Sequence, residues 1–325
     1  MKKLFCILLS VLMLSAVLVL ASCEISVTFT KYLKYGVGIS VETSATDATE
    51  DKNGTGEADS TIALITVDDD GKVVDCKIDV AQIKAAYTAD GKAVATTDFR
   101  TKAEKGNDYG MSRTGKTEWY AQAEAFEKVV VGKTLSEIKA LVVDGDKGTD
   151  EVITAGCTIS VNEFVKAIEK AFNNLDDFEV PENYSLKIGT ATEQTLTDYD
   201  AETEKDGTNE IDTTVFAAIV DADGKVVAVD IDCTQVRFTF DGTGKSTFTA
   251  TEVLTKRQKG NDYGMSRTGK TEWYAQADAF ETLCIGKTAS EITKLAVDGK
   301  GTEAVQTAGC TIGVEGFVEA AAKIG

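Results

Sequence analysis

Residues 60–67 form a β-branched, apolar run of strand length, and residues 72–80 then alternate apolar and polar with a period of two. Between them Asp68-Asp69-Asp70-Gly71 reads as a tight hairpin turn. Residues 214–220, the turn 221–224 and residues 225–232 repeat this arrangement, and residues 93–101 and 246–254 predict one further strand in each half. The period then changes. Over residues 117–130, Trp119, Ala123, Phe126 and Val130 fall on one helical stripe, with Gly132 placed to close the helix. Thr134-Leu135-Ser136-Glu137 is a capping box that opens a short helix to about Leu141. A last helix over residues 161–172 carries Phe164, Val165, Ile168 and Phe172. The class expected is α+β, with an antiparallel sheet and its hairpin followed by helices.

The whole pattern occurs twice. Residues 105–123 are identical to residues 259–277, an aromatic, glycine-rich and locally basic block. Outward from it, Asp70-Gly71-Lys72-Val73-Val74 matches Asp223-Gly224-Lys225-Val226-Val227, and Thr154-Ala155-Gly156-Cys157-Thr158-Ile159 matches Thr307-Ala308-Gly309-Cys310-Thr311-Ile312. The offset is 153 at the edges and 154 within the block, so the preceding loop gained one residue. The copies span residues 34–172 and 187–325. Residues 173–186, acidic and holding the single proline, Pro181, read as a linker between two domains.

The start of the chain has a different character. Lys2 and Lys3 precede a run over residues 4–20 that is apolar except for Ser10 and Ser15, and the run ends in Leu20-Ala21-Ser22-Cys23. A positive region, an apolar region and a small-residue end make a secretory signal over residues 1–22. Its last four residues resemble the bacterial lipobox, which implies a lipid on Cys23 and an extracytoplasmic protein anchored to the membrane. A net charge of −19 argues against nucleic-acid partners, because phosphates would be repelled. The absence of histidine excludes catalytic triads and His-ligated zinc or haem. Cys76, Cys157, Cys233, Cys284 and Cys310 show no C-x-x-C spacing, so neither a dithiol nor a metal site is expected.

Chemistry concentrates in the repeated block and in the later turn. Glycines in Asn107-Asp108-Tyr109-Gly110 and Ser112-Arg113-Thr114-Gly115 would let backbone amides approach an anion just before a helix. Lys105, Arg113 and Lys116 gather positive charge there, and Tyr109, Trp119 and Tyr120 offer flat faces, a combination suited to a phosphate joined to an aromatic ring. The competing reading is a structural turn whose aromatics fill the core. In the same way, the threonine of the Gly-Cys-Thr turn is either a ligand contact or part of a helix cap.

Strand, Asp-Gly-Lys hairpin, second strand and a Gly-x-Thr turn leading into a C-terminal helix resemble the bacterial FMN-binding domain. That family includes the flavin subunit of sodium-pumping quinone reductases and exported electron-transfer lipoproteins. The resemblance covers nearly all of each copy and implies FMN, esterified by a flavin transferase onto the last hydroxyl of the turn. It would place Gly156 and Thr158, with Gly309 and Thr311, at the flavin phosphate. Arg113, Lys116, Arg267 and Lys270 would balance its charge, and Tyr109, Trp119, Tyr263 and Trp273 would flank its ring. Ala155 and Ala308 stand where the motif has Ser or Thr, and Cys157 and Cys310 replace its alanine. The function implied is flavin-based electron transfer with a membrane redox partner, by a carrier rather than a turnover enzyme. The alternative is a surface lipoprotein whose duplicated module has lost flavin and serves in binding or structure.

Overall fold

The computed structural model describes residues 32–325, so the signal and Cys23 lie outside the described residues. The first copy contributes strands β1 (Tyr32–Thr46), β2 (Gly54–Val67), β3 (Val73–Tyr87) and the short β4 (Ala93–Val94). Helices α1 (Lys102–Lys105) and α2 (Trp119–Val130) follow, then α3 (Leu135–Lys139), the small hairpin β5 (Val142–Val143) and β6 (Lys147–Gly148), α4 (Asp150–Ala155) and α5 (Asn162–Phe172). After β7 (Asp176–Glu179) the second copy repeats the plan. It comprises β8 (Tyr184–Thr197), β9 (Gly207–Asp221), β10 (Val226–Phe240), α6 (Lys256–Lys259), α7 (Trp273–Cys284), α8 (Ala289–Ile292), β11 (Ala296–Val297), β12 (Lys300–Gly301), α9 (Glu303–Ala308) and α10 (Glu315–Ala322).

Each copy is an antiparallel meander with helices on one face, an α+β fold. The expected hairpins form as read. The Asp68 carboxylate accepts the Asp70 and Lys72 amides at 3.0 and 2.8 Å, and Gly71 supplies φ +73°. Helix α3 opens on the Thr134–Glu137 capping box. The outer face of each sheet is covered by its own helices, with Phe126, Ile168 and Val130 fully buried in one copy and Phe280, Ala321 and Ile292 in the other. Close helix–sheet approach depends on small residues. A Cβ at Gly38 would lie 2.0 Å from the Ala167 carbonyl oxygen, and one at Gly189 2.0 Å from that of Ala320.

The inner faces of the two sheets pack on each other, so the two copies form one compact unit with layers in the order helices, sheet, sheet, helices. Ile62, Leu64, Val215 and Ala217 meet at the seam, with Phe238 against Ile83 and Ile211. The rings of Tyr87 and Phe240, one from each copy, stack at 4.5 Å and 8°. Beside them, a Cβ at Gly56 would fall 2.2 Å from the Phe238 ring. The segment expected as a linker contributes to this seam. Residues 176–179 pair with the start of β1 as β7, and Phe178 is buried against Leu33 and Ile219.

The strands expected over residues 93–101 and 246–254 do not form as such. Only Ala93–Val94 pairs, and residues 246–254 pair with β10 through a single bridge at Ser246. Part of the backbone there is satisfied by side chains from the other copy. The Asn209 amide donates to the Val94 and Ala86 carbonyls at 3.3 and 3.2 Å, and the Gln194 amide oxygen accepts the Thr96 N–H at 2.7 Å. Likewise the Asp47 carboxylate accepts the Ser246 N–H at 2.9 Å.

Candidate functional site

The repeated block hangs from a buried aspartate on the edge strand. Asp79 accepts the Thr101 hydroxyl at 2.6 Å and the Ala103 amide at 3.1 Å, which fixes the start of α1. Burial pushes the Asp79 carboxyl above its ordinary range, and these donors act against that rise. Beyond α1 the chain makes two single 3₁₀ turns, over Gly106–Tyr109 and Met111–Thr114, closed by Gly110 and Gly115 at φ +86° and +77°. Backbone amides beside these glycines converge, and a carboxylate of the chain takes them. Glu118 accepts the Met111 and Ser112 N–H groups at 3.1 and 3.0 Å, and Glu272 accepts those of Met265 and Ser266 at 3.0 and 2.9 Å. The hydrogen bonds from Ser112 and Ser266 hold these carboxyls below their usual range.

The aromatic faces are also in use. Trp119 is buried and meets Phe164 edge-on at 5.9 Å, and Trp273 meets Phe317 at 5.8 Å. The Lys102 ammonium sits 5.7 Å from the Tyr109 ring centre and 5.9 Å from that of Trp119, and it pairs with Asp59 at 3.2 Å. Lys256 repeats this with Tyr263, Trp273 and Asp212. A lysine of the chain therefore occupies the cage that the aromatics make. Arg113, Lys116, Arg267 and Lys270 are exposed and, among the described residues, form no ion pair.

In the later turn, Gly156 at φ +108° closes α4, its N–H donating to the Ile153 carbonyl at 3.0 Å. The Thr158 N–H and hydroxyl both donate to the Gln122 side-chain oxygen, at 2.8 and 2.9 Å. Gln122, fully buried, donates in turn to the Thr117 carbonyl at 2.8 Å. Gln276 holds Thr311 in the same way at 2.7 and 3.0 Å, and Gly309 repeats the αL cap at φ +110°. The structure thus joins the turn to the repeated block through a glutamine that sequence reasoning passed over. The available signal was a polar residue on the buried stripe of α2, identical in both copies. Thr158 does not directly precede the closing helix. Helix α5 begins at Asn162 with Glu163 in its first turn, and α10 begins at Glu315. The cleft beside Thr311, about 520 Å³, is lined by Asp298, Lys300, Gln306 and Glu315.

These residues, as placed, do not fit FMN. The amides are taken by Glu118 and Glu272, the rings by Lys102 and Lys256, and carboxylates stand where the phosphate would meet a helix N-terminus. Nothing hydrogen-bonded among the described residues links Arg113 or Lys116 to Thr158.

The copies differ most in charge at one point on the seam. Arg257 replaces Ala103 and Asp230 replaces Lys77. Arg257 contacts Asp230 at 3.1 Å, Asp278 at 2.6 Å and Glu281 at 2.5 Å, whereas at this point the first copy has, among the described residues, the pair of Lys77 and Glu127 at 3.6 Å. The cluster lines a cleft of about 590 Å³ between the sheets, facing Tyr35, Asp176 and Asp177. Burial pushes Asp230 up to about 6 and Glu281 up to about 8, with Arg257 opposing the rise.

Compared with known proteins, the chain matches no family model, no curated protein and no solved structure.

Proposed function

We propose that this chain is a non-catalytic, lipid-anchored extracytoplasmic binding module, and that the exposed loop of its repeated block is the recognition surface. One observation carries the reading. An exposed loop is identical in the two copies, although even some buried core residues have changed. Ala63, Leu64 and Ile65, all fully buried, correspond to Phe216, Ala217 and Ala218. Ser112-Arg113-Thr114-Gly115-Lys116-Thr117, all exposed, is identical to residues 266–271. Packing restrains cores and leaves surfaces free, so an exposed stretch without a single change points to a restraint other than packing. Two unpaired cations per loop set a local positive patch against the chain's net charge of −19, and such a patch suits an anionic partner that meets the loop alone. The rival, a flavin-loaded electron carrier, has the family resemblance behind it but needs the amides and ring faces that Glu118 and Lys102 engage.

Two measurements test this. Charge reversal at all four loop cations (Arg113→Glu, Lys116→Glu, Arg267→Glu, Lys270→Glu) should abolish low-salt retention on an anionic polymer with circular dichroism unchanged. Unaltered retention would remove the loops from the reading. Separately, the mature chain co-expressed with a flavin transferase and FMN should stay colourless. In-gel fluorescence that survives denaturation, with FMN mass on the Thr158 or Thr311 peptide, would restore the electron-carrier reading.

A further inference from the structure

The two sheets end differently. In the first, the outer edge of β1 is paired antiparallel with β7, Lys34 facing Asp177 and Leu33 facing Phe178. Phe178 is buried there, edge-on to Tyr35 and to Tyr184 at 6.0 Å each. The 153-residue offset carries Leu33-Lys34-Tyr35-Gly36 onto Leu186-Lys187-Ile188-Gly189 of β8, so Leu, Lys and Gly recur in place. Among the described residues, β8 pairs with β9 alone, and no strand lies on its other side.

The remaining long edges are guarded. On β3, Glu127 accepts the Ile78 N–H at 2.7 Å. On β10, Glu281 accepts the Ile231 N–H at 2.7 Å and Arg257 donates to the Ile231 carbonyl at 3.1 Å. Such side chains consume the edge's own donors and acceptors and place charge on it, which blocks pairing with another chain. Residues 185–188 have no such device, and Lys187 makes no ion pair among the described residues.

We propose that the outer edge of β8 at residues 185–188 is a peptide-docking site, which takes an extended antiparallel strand carrying an acidic residue opposite Lys187 and an aromatic one opposite Leu186. The chain's own β7 on β1 is the pattern for the occupant. Main-chain hydrogen bonds supply affinity in this mode, and alternate side chains supply selectivity. The site is remote in sequence from the exposed loops and does not depend on their role.

The test uses the mature chain and a fluorescein-labelled peptide of residues 173–181. Binding by anisotropy should saturate and should perturb the backbone amide signals of residues 185–188. Lys187→Glu should weaken it by about tenfold, and a peptide with lysine at both positions 176 and 177 should recover the loss. N-methylation of the peptide amides that face the edge should abolish binding, while methylation of the alternate set should not. Absence of saturable binding, or indifference to both Lys187→Glu and N-methylation, would overturn the proposal. Protection from exchange, without peptide, of those amides among residues 185–188 that point away from β9 would also overturn it. In a dimer that result assigns the edge to a second copy, and in a monomer to a segment of the same chain.

Discussion

Breaking the seam between the sheets should unfold both copies together. Three apolar clusters span it, holding thirteen buried Val, Leu, Ile and Phe side chains, among them Ile39, Ile62, Ile83, Ile211, Val215 and Phe238. At about 1.5–3 kcal/mol for each such side chain, their burial is worth on the order of 20–40 kcal/mol gross. Even half of that, about 10–20 kcal/mol after allowing for a compact unfolded chain, is as large as the roughly 5–15 kcal/mol net stability of a whole domain. Neither copy should therefore hold its fold without the other. Each copy has one tryptophan, Trp119 or Trp273, so Trp119→Phe and Trp273→Phe variants make each copy its own reporter. Urea titrations followed by fluorescence should give coincident midpoints. Phe238→Ala, which removes a fully buried ring from the second copy, should cost about 3–5 kcal/mol and shift both midpoints equally. A Trp119 transition that ignores Phe238→Ala, or a cooperative monomer from residues 32–180 with the intact protein's midpoint, would refute the reasoning.

Three further outcomes are expected. Asp230 and Glu281 have folded pKa values raised to about 6 and about 8 from ordinary carboxylate values, so the native state binds more protons than the unfolded chain in between. Their contribution is fully present below about pH 4 and is lost as pH rises from there to about 6 for Asp230 and to about 8 for Glu281. Tm by calorimetry should fall over that window by roughly 2–4 °C per kcal/mol lost, and Glu281→Gln should flatten the fall. Gln122→Ala should leave the Thr158 N–H and the Thr117 carbonyl without their partner and cost roughly 1–3 kcal/mol by urea denaturation, with a matching loss for Gln276→Ala. Gly38→Ala should cost about 1–3 kcal/mol by the same assay, because its Cβ would meet helix backbone at 2.0 and 2.3 Å rather than a side chain that can turn away.

Local signals were legible wherever a few neighbouring residues decide the outcome. The hairpin at Asp68–Gly71, the stripe of α2 and the Thr134–Glu137 box all follow from turn chemistry, periodicity and capping, and duplication was visible by inspection. Strand β1 escaped notice because Gly36 and Gly38 interrupt its pattern, and their reason for being there is the backbone of α5, more than 100 residues away. The strands expected at residues 93–101 and 246–254 had suitable composition, but Asn209, Gln194 and Asp47 of the opposite copy took the backbone groups that a ladder needs.

The candidate site divides along the same line. Glycines and cations in the repeated block mark a place where amides can gather around an anion, and no local rule says whose anion arrives. Tertiary placement settled that in favour of Glu118 and Glu272, since a tethered carboxylate seven residues from the amide it binds gives up little freedom in reaching it. The same applies to the aromatic faces, which Lys102 reaches from the preceding turn of chain, and to Thr158, whose partner Gln122 lies 36 residues back. By itself the sequence determined the elements, the duplication and the chemical inventory, because those depend on neighbours along the chain. That Thr158 meets Gln122, and that the two sheets share one core, depend on contacts between residues far apart, and only the folded structure decided them.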